Sequence, residues 1–169
     1  MIKIAVFGHE PIDFRNIDST MRDINDSIEI IRRENNNERD IVFNVNGEPG
    51  TSQWFCGVLR DDNIQYEMYL SSIPETQCQY WLDSQKECFM DQLNWAHGVH
   101  IYFTNNKEES NVGRDKKMID DAQWVLVFWN GKHQGSTYNA MKYALRNNKL
   151  VYNGIGGLKI VDLDDLITE

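Results

Sequence analysis

Gly113-Arg-Asp-Lys-Lys-Met-Ile-Asp-Asp-Ala-Gln-Trp-Val-Leu-Val-Phe-Trp-Asn-Gly-Lys-His-Gln-Gly-Ser-Thr-Tyr-Asn139 reads as a short helix, a strand, a glycine-bearing loop and the start of a second helix. Trp124 to Trp129 is a continuous apolar run of strand length, the pattern of a strand covered on both faces. The loop Asn130 to Gly135 follows at its carboxyl end. Gly135, Ser136 and Thr137 then open a helix that continues through Ala140, Tyr143, Ala144 and Leu145. A helix N-terminus presents free backbone N–H groups and a partial positive charge. Small residues there let an anion approach, so the segment offers a phosphate or carboxylate cradle. Ser136 and Thr137 also suit plain helix capping, and the segment taken alone slightly favours that reading.

Outward from it, strand and helix patterns alternate. Residues 2–7 alternate and then run apolar, predicting a first strand interrupted by Gly8-His-Glu-Pro11. From Ser19 to Arg33, Met21, Ile24, Ile28 and Ile31 recur at helical spacing and predict an amphipathic helix, ended by Asn35-Asn-Asn37. Ile41 to Val45 predicts a second strand. Asn46-Gly-Glu-Pro-Gly-Thr-Ser52 is a second glycine-bearing loop, before a short helix around Trp54 to Leu59. Ile64 to Leu70 predicts a third strand, and Ser72-Ile-Pro74 leads into a long helix over 77–96. Val99 to Phe103 predicts a fourth strand, Asn105 to Gly113 a polar loop, and Arg114 to Asp121 the short helix before strand five. Leu150 to Tyr152 predicts a sixth strand, Gly154 to Gly157 a turn, and Val161 to Ile167 closes the chain.

This alternation implies an α/β fold: a Rossmann-like doubly wound, mainly parallel sheet with helices on both faces, in one domain over 1–169. Such sheets bind ligands outside the carboxyl ends of their strands, where strand order reverses. Three polar glycine loops fall at such ends: Gly8-His9, Asn46 to Ser52, and Asn130 to Thr137. Their convergence favours the cradle over plain capping.

Composition narrows the partners. The 169 residues include five Trp, seven Tyr and seven Phe, enough for one packed interior. A formal net charge of −9 excludes a broad nucleic-acid surface but not a small anionic ligand. No apolar run reaches membrane-spanning length, so no membrane partner is expected. Met1 to Gly8 reads as a strand rather than a signal peptide, which points to the cytoplasm. Cys56, Cys78 and Cys88 form no Cys-x-x-Cys pair and read as buried, reduced thiols. His9, His97, His100 and His133 show no ligand spacing with them, so no metal is expected. Gly154-x-Gly-Gly157 completes no dinucleotide fingerprint, no Gly-x-Ser-x-Gly elbow occurs, and no cofactor is expected.

Five motifs follow one another along the chain. Val6-Phe-Gly-His9 ends the first strand in a glycine loop. Gly47-Glu-Pro-Gly-Thr-Ser-Gln-Trp54 carries a glycine loop into a Trp-bearing helix. Ile73-Pro74 precedes Tyr80-Trp81, Arg114-Asp-Lys-Lys-Met-Ile-Asp120 precedes strand five, and Gly135-Ser-Thr137 ends the series. In this order they resemble the SLOG superfamily, the Rossmann-like group that includes DprA-like proteins and the LOG cytokinin-activating phosphoribohydrolases. More narrowly they resemble its small bacterial and phage members of the YpsA-like type. The resemblance spans almost the whole chain. It departs at Asp115, where the family has Asn, and at Ser136, where it has a second Gly. LOG enzymes place a catalytic Glu two residues after the Thr of this loop, and the matching residue here is Asn139. Asn neither takes a proton nor carries negative charge, so the resemblance implies binding rather than phosphoribohydrolase chemistry by that route.

The residues expected around a ligand come from these loops. Gly8, Gly47, Gly50, Gly131 and Gly135 allow close backbone approach, and Asn46, Thr51, Ser52, Asn130, Ser136, Thr137 and Asn139 offer neutral hydrogen bonds. Arg114 suits a bidentate phosphate contact or, alternatively, a surface ion pair with Asp120 or Asp121. Asp120 suits a ribose hydroxyl or a pairing role. His9 suits a phosphate or base, or is a polar surface residue. Trp129 suits stacking on a purine or nicotinamide ring, or is core, and Trp54 carries the same ambiguity.

Three functions follow. The first is non-catalytic binding of a nucleotide or ADP-ribose-like molecule. SLOG domains of immune systems such as Thoeris sense NAD-derived cyclic ADP-ribose signals, and a free-standing domain of this kind suits sequestration of such a signal by a phage anti-defence protein. The second is cleavage of a nucleotide N-glycosidic bond, as in LOG proteins or nucleoside deoxyribosyltransferases, with Glu10, Glu48 or Asp120 as acid or base. The third is an interaction protein with a vestigial pocket. The resemblance also implies a homo-oligomer, dimer or tetramer, and the sequence offers Tyr80 and Trp81 as exposed aromatics for its contacts.

Overall fold

β1 (Ile2–Gly8) sends successive side chains to opposite faces, and both faces are apolar, so its middle four residues are all buried. The other strands are β2 (Ile41–Val45), β3 (Gln65–Leu70), β4 (Gly98–Ile101), β5 (Trp124–Phe128), β6 (Leu150–Asn153) and β7 (Lys159–Val161). The helices are α1 (Ile17–Glu34), α2 (Thr51–Asp61), α3 (Pro74–Gln77), α4 (Asp83–Trp95), α5 (Lys107–Asp120) and α6 (Ser136–Arg146), with a final 3-10 turn at Leu163–Leu166. The computed structural model describes residues 1–10, 17–35 and 40–166. Pro11, Asn36, Asn37 and Ile167, named above at a loop, a helix end and the close of the chain, lie outside them.

All seven strands form one sheet in the order β4-β3-β2-β1-β5-β6-β7. The first six are parallel, and β7 runs antiparallel to β6. The chain steps outward from β1 to β4, then returns to lay β5 on the other side of β1, in register Ile4 to Gly8 against Trp124 to Phe128. Strand order therefore reverses between β1 and β5.

The crossovers put α1, α2 and α4 against one face and α5 and α6 against the other. Ile4 and Val6 pack with Ile24, Ile28 and Ile31 of α1, Phe55 and Leu59 of α2, and Phe89 of α4. Ala5 and Phe7 pack with Met118 and Ile119 of α5 and Met141 of α6. Burial of the three α1 isoleucines contributes roughly 1.5–3 kcal/mol each, more than any intrinsic helix preference in that segment.

Three expectations are corrected. The region 105–113 is not a polar loop: α5 begins at Lys107, with Asn106 as its cap, whose side chain accepts from the Glu109 N–H at 3.1 Å. Gly113 lies inside this helix. A Cβ there would stand 2.0 Å from the Tyr102 ring, so the glycine is a niche for that ring and not a helix end. The single long helix over 77–96 is two, α3 and α4, separated by a turn at 78–82, and Gln85 Oε1 accepts from the Leu82 N–H at 3.1 Å to start the second. The segment from Val161 is not one closing element but the end of β7 followed by the 3-10 turn.

Candidate functional site

The carboxyl ends of β1, β2 and β5 open into a cleft of about 600 Å³, within the usual range for a small-molecule site. Its walls come from Gly8 and Glu10 after β1, Asn46 to Ser52 after β2, one side of α5 from Lys107 to Ile119, and the first two turns of α6. Trp81 closes one side, its ring edge-on to Phe89 at 5.1 Å between centroids.

The loop after β2 is held by its own side chains. Asn46 Oδ1 accepts from the Glu48 N–H at 3.0 Å, Ser52 Oγ accepts from the Gly47 N–H at 3.1 Å, and Gln53 Nε2 donates to the Gly47 carbonyl at 3.1 Å. Gly47 has φ +75° with Phe89 and Met68 packed where a side chain would begin. Thr51 donates through N and Oγ1 to the His9 carbonyl, at 3.2 and 3.1 Å, which ties this loop to the end of β1. Gly8 is required there, because a Cβ would fall 2.3 Å from Thr51 Cγ2.

Arg114 is 4% exposed and bonded to two carboxylates: Nη1 donates to Glu48 Oε1 at 2.8 Å and Nε to Asp115 Oδ1 at 3.1 Å. Burial would lower the arginine's pKa, but Asp115 and Glu48 raise it, so it stays charged. Burial pushes the Asp115 carboxyl up, and Arg114 and a hydrogen bond from Asn46 draw it only part of the way back. Arg114 is thus neither a surface residue nor paired with Asp120 or Asp121. Asp120 accepts from the Tyr143 hydroxyl at 2.8 Å, and that hydrogen bond raises the tyrosine's pKa. Tyr143 lines the cleft and Asp120 stands outside it.

α6 meets the cleft with Gly135 at its cap, φ +95°, and no side-chain cap hydrogen bond. Neither Ser136 nor Thr137 caps the helix. Nothing lies within 4 Å of where a Gly135 side chain would start, so the approach to the helix end is open. Asn139 lines the cleft one turn along.

The structure gathers Gly8, Glu10, Asn46, Glu48, Ser52, Arg114, Gly135, Ser136, Thr137 and Asn139 on the cleft wall. Gly47, Gly50, Thr51 and His9 shape it from behind, His9 Nε2 accepting from the Asn130 N–H at 3.0 Å across the strand reversal. Trp129, Asn130 and Gly131 lie outside the lining. Trp129 donates Nε1–H to the Lys132 carbonyl at 2.7 Å and packs against His133 and Tyr138. Trp54 packs against the apolar core. Sequence reasoning did not assign Asp115, Trp81, Lys107, Asn111, Val112, Lys116 or Tyr143 to the site. Asn106-x-x-Glu109, a capping signal, marked the start of α5 and would have placed Lys107, Asn111 and Val112 on the same helix as Arg114.

Among the described residues no cluster of His, Cys, Asp and Glu is arranged to hold a metal, and no helix is long and apolar enough to cross a membrane. Cys56 and Cys78 are buried free thiols, and Cys88 is half-buried.

No protein-family model and no curated protein matches the chain. Two solved structures are similar to it. TM1055, a structural-genomics target, superposes with a TM-score of 0.55 at 13% identity, over 93% of this chain and 77% of its own. DNA processing protein A (DprA) from Streptococcus pneumoniae superposes with a TM-score of 0.65 at 9% identity, over 96% of this chain and 60% of its own. The fold is therefore of the Rossmann-like, doubly wound α/β class. Within that class the architecture is similar to those of DprA and TM1055, and the likeness extends to the fold alone.

Proposed function

We propose that the cleft binds a nucleotide or an NAD-derived, ADP-ribose-type small molecule without cleaving it. The observation that carries this reading is the open N-terminus of α6 at the strand reversal: a positive-φ glycine, no side-chain cap, and a cleft of about 600 Å³ in front of it. Asn139 on the cleft wall supports binding over hydrolysis, since the LOG-type acid is missing at that position. The narrower likeness to small YpsA-like SLOG proteins favours sequestration of a signal molecule, as a phage protein opposing Thoeris-like immunity would do in the host cytoplasm. Tyr80, 83% exposed beside the cleft's Trp81, supports assembly into a dimer or tetramer. Calorimetric titration with ADP, ADP-ribose and cyclic ADP-ribose isomers tests the reading; saturable micromolar binding with the ligand recovered intact is expected, and silence across the panel refutes it.

One observation favours a second reading, N-glycosidic cleavage. Glu48 and Asp115 flank Arg114 on the cleft wall, a pair of carboxylates in different environments, as acid–base chemistry at a sugar requires. Release of free base from a nucleotide panel, lost in Glu48→Gln, would establish it.

A further inference from the structure

We propose that the exposed edge of β4 is a self-association surface: two copies of this chain pair their β4 strands antiparallel about a two-fold axis at Ile101, which joins two seven-stranded sheets into one. This rests on the assembly reading above, gives that assembly its surface, and holds whatever the cleft binds.

The sheet ends at β4. Among the described residues this strand adds no side chain to either apolar core. The Tyr102 N–H donates to the Leu70 carbonyl at 2.8 Å, so by strand alternation the N–H and C=O groups of Val99, Ile101 and Phe103 face away from β3. The register sets Val99 beside Met68 and Ile101 beside Leu70. Met68 and Leu70 are fully buried, whereas Val99 is 47% exposed, Ile101 51% and Phe103 66%. An apolar row of the sheet thus runs on past the layer that covers it. Edges of this kind are ordinarily blunted by charge, proline or a bulge. From His97 to Asn106 the chain has no Lys, Arg, Asp, Glu or Pro, and the pairing of β4 with β3 runs without a break.

Symmetry, charge and area each favour a second copy as the occupant. With the axis at Ile101, that residue faces its own mate, Val99 faces Phe103 of the partner subunit, and on the other side of the sheet His100 faces the partner's Tyr102. Each cross-strand pair is apolar or aromatic, and each recurs across the axis, as a two-fold contact requires. The backbone groups left open on one copy meet those left open on the other. Two molecules of net charge −9 repel each other, and an uncharged edge is where they approach at least cost. A basic partner would be drawn to the acidic remainder of the surface instead. Val99, Ile101, Tyr102 and Phe103 leave roughly 300–400 Å² of apolar side chain open per copy. With the usual apolar share of an interface this corresponds to about 1,000–1,300 Å² over both copies, the lower end of what a specific dimer buries.

Sedimentation velocity of the full-length protein from about 1 to 100 µM tests this. A dimer that dissociates within that range is expected, and association is expected to strengthen with salt as the mutual repulsion is screened. Ile101→Lys, at a half-exposed position outside both cores, sets like charges opposite each other at the axis and is expected to weaken association at least about tenfold. Ile101→Cys is expected to cross-link to itself on mild oxidation, and Leu150→Cys, comparably exposed on β6, is not. Dimers undiminished in Ile101→Lys, or both cysteine variants cross-linking alike, place the contact elsewhere and overturn the proposal while the assembly reading stands. Protein that stays monomeric throughout leaves the edge to a strand of another protein and overturns both. The cysteine variants decide the matter even if the lysine variant fails to fold.

Discussion

Replacing Arg114 by Met separates an ion-pair hub from a ligand contact. Met keeps an unbranched stem of comparable reach and removes the charge. Asp115, 9% exposed, then loses its strongest partner, whereas the Glu48 side chain is 25% exposed and can turn toward water. Removing one member of a buried pair costs roughly 3–5 kcal/mol. The escape open to Glu48 places the cost at about 3 kcal/mol, or roughly 6–12 °C in melting temperature for a domain of this size. Arg114→Met with Asp115→Asn removes the orphaned charge as well and is expected to recover about 1 kcal/mol or more. The pH dependence has a definite sign. Burial already raises the folded pKa of Asp115, Arg114 opposes it, and loss of Arg114 raises it further. A carboxyl raised in the folded state favours folding below its unfolded pKa and loses that contribution as pH rises to the folded value. The deficit of the single variant is therefore larger at pH 7 than at pH 5. Urea unfolding followed by tryptophan fluorescence at both values measures it. A single variant within about 1 kcal/mol of wild type at pH 7, or a double variant no more stable than the single one, refutes the reasoning.

Gly8→Ala is expected to destabilise by roughly 1–3 kcal/mol, because Thr51 is fully buried. Thr51→Ala is expected not to rescue it, since the Thr51 Cβ itself stands 2.4 Å from the new atom; chemical denaturation of the three variants checks both statements. Burial would raise the Glu67 carboxyl, but hydrogen bonds and charge from His100 and Lys3 win and hold it below its ordinary value. Its contribution is therefore full above the ordinary glutamate range and lost as pH falls through the depressed folded value, so Glu67→Gln should cost up to about 1 kcal/mol at pH 7 and progressively less as pH falls below that range. The Cys56 thiol is pushed up to about 12 by burial, with its Tyr66 hydrogen bond opposing. Thiol-reagent labelling at pH 8 is expected to leave it unmodified in the native protein and to reach it in urea; rapid native labelling would contradict the packing of α2.

The doubly wound sheet was legible because its centre is buried on both faces: Ile4 to Phe7 and Val125 to Phe128 give unbroken apolar runs that only a covered strand tolerates. The amphipathic α1 was legible from its isoleucine spacing. α5 was half hidden, since its first turns are exposed and polar and Gly113 looks like an ending until Tyr102 is seen filling its place. That error removed one wall of the cleft from view. The glycine loops were placed at the right ends of the right strands, but their side chains did not announce their partners. Arg114 and Glu48 are 66 residues apart in sequence, and nothing local to either foretells the bond between them. Trp129 looked like a stacking platform because it ends a buried strand, yet the direction of its ring depends on the loop that folds over it.

The Tyr102 ring has a consequence for communication across the molecule. Its N–H bonds to the Leu70 carbonyl at 2.8 Å directly beyond β4, the sheet's outermost strand, where Val99, Ile101 and Phe103 are exposed. Its other end fills the gap at Gly113, one residue before Arg114. The ring therefore packs the margin of the sheet against the turn of α5 whose Arg114 holds Glu48. One aromatic side chain thus joins the edge of the sheet to the helix that walls the cleft, and neither can be repacked without regard to the other.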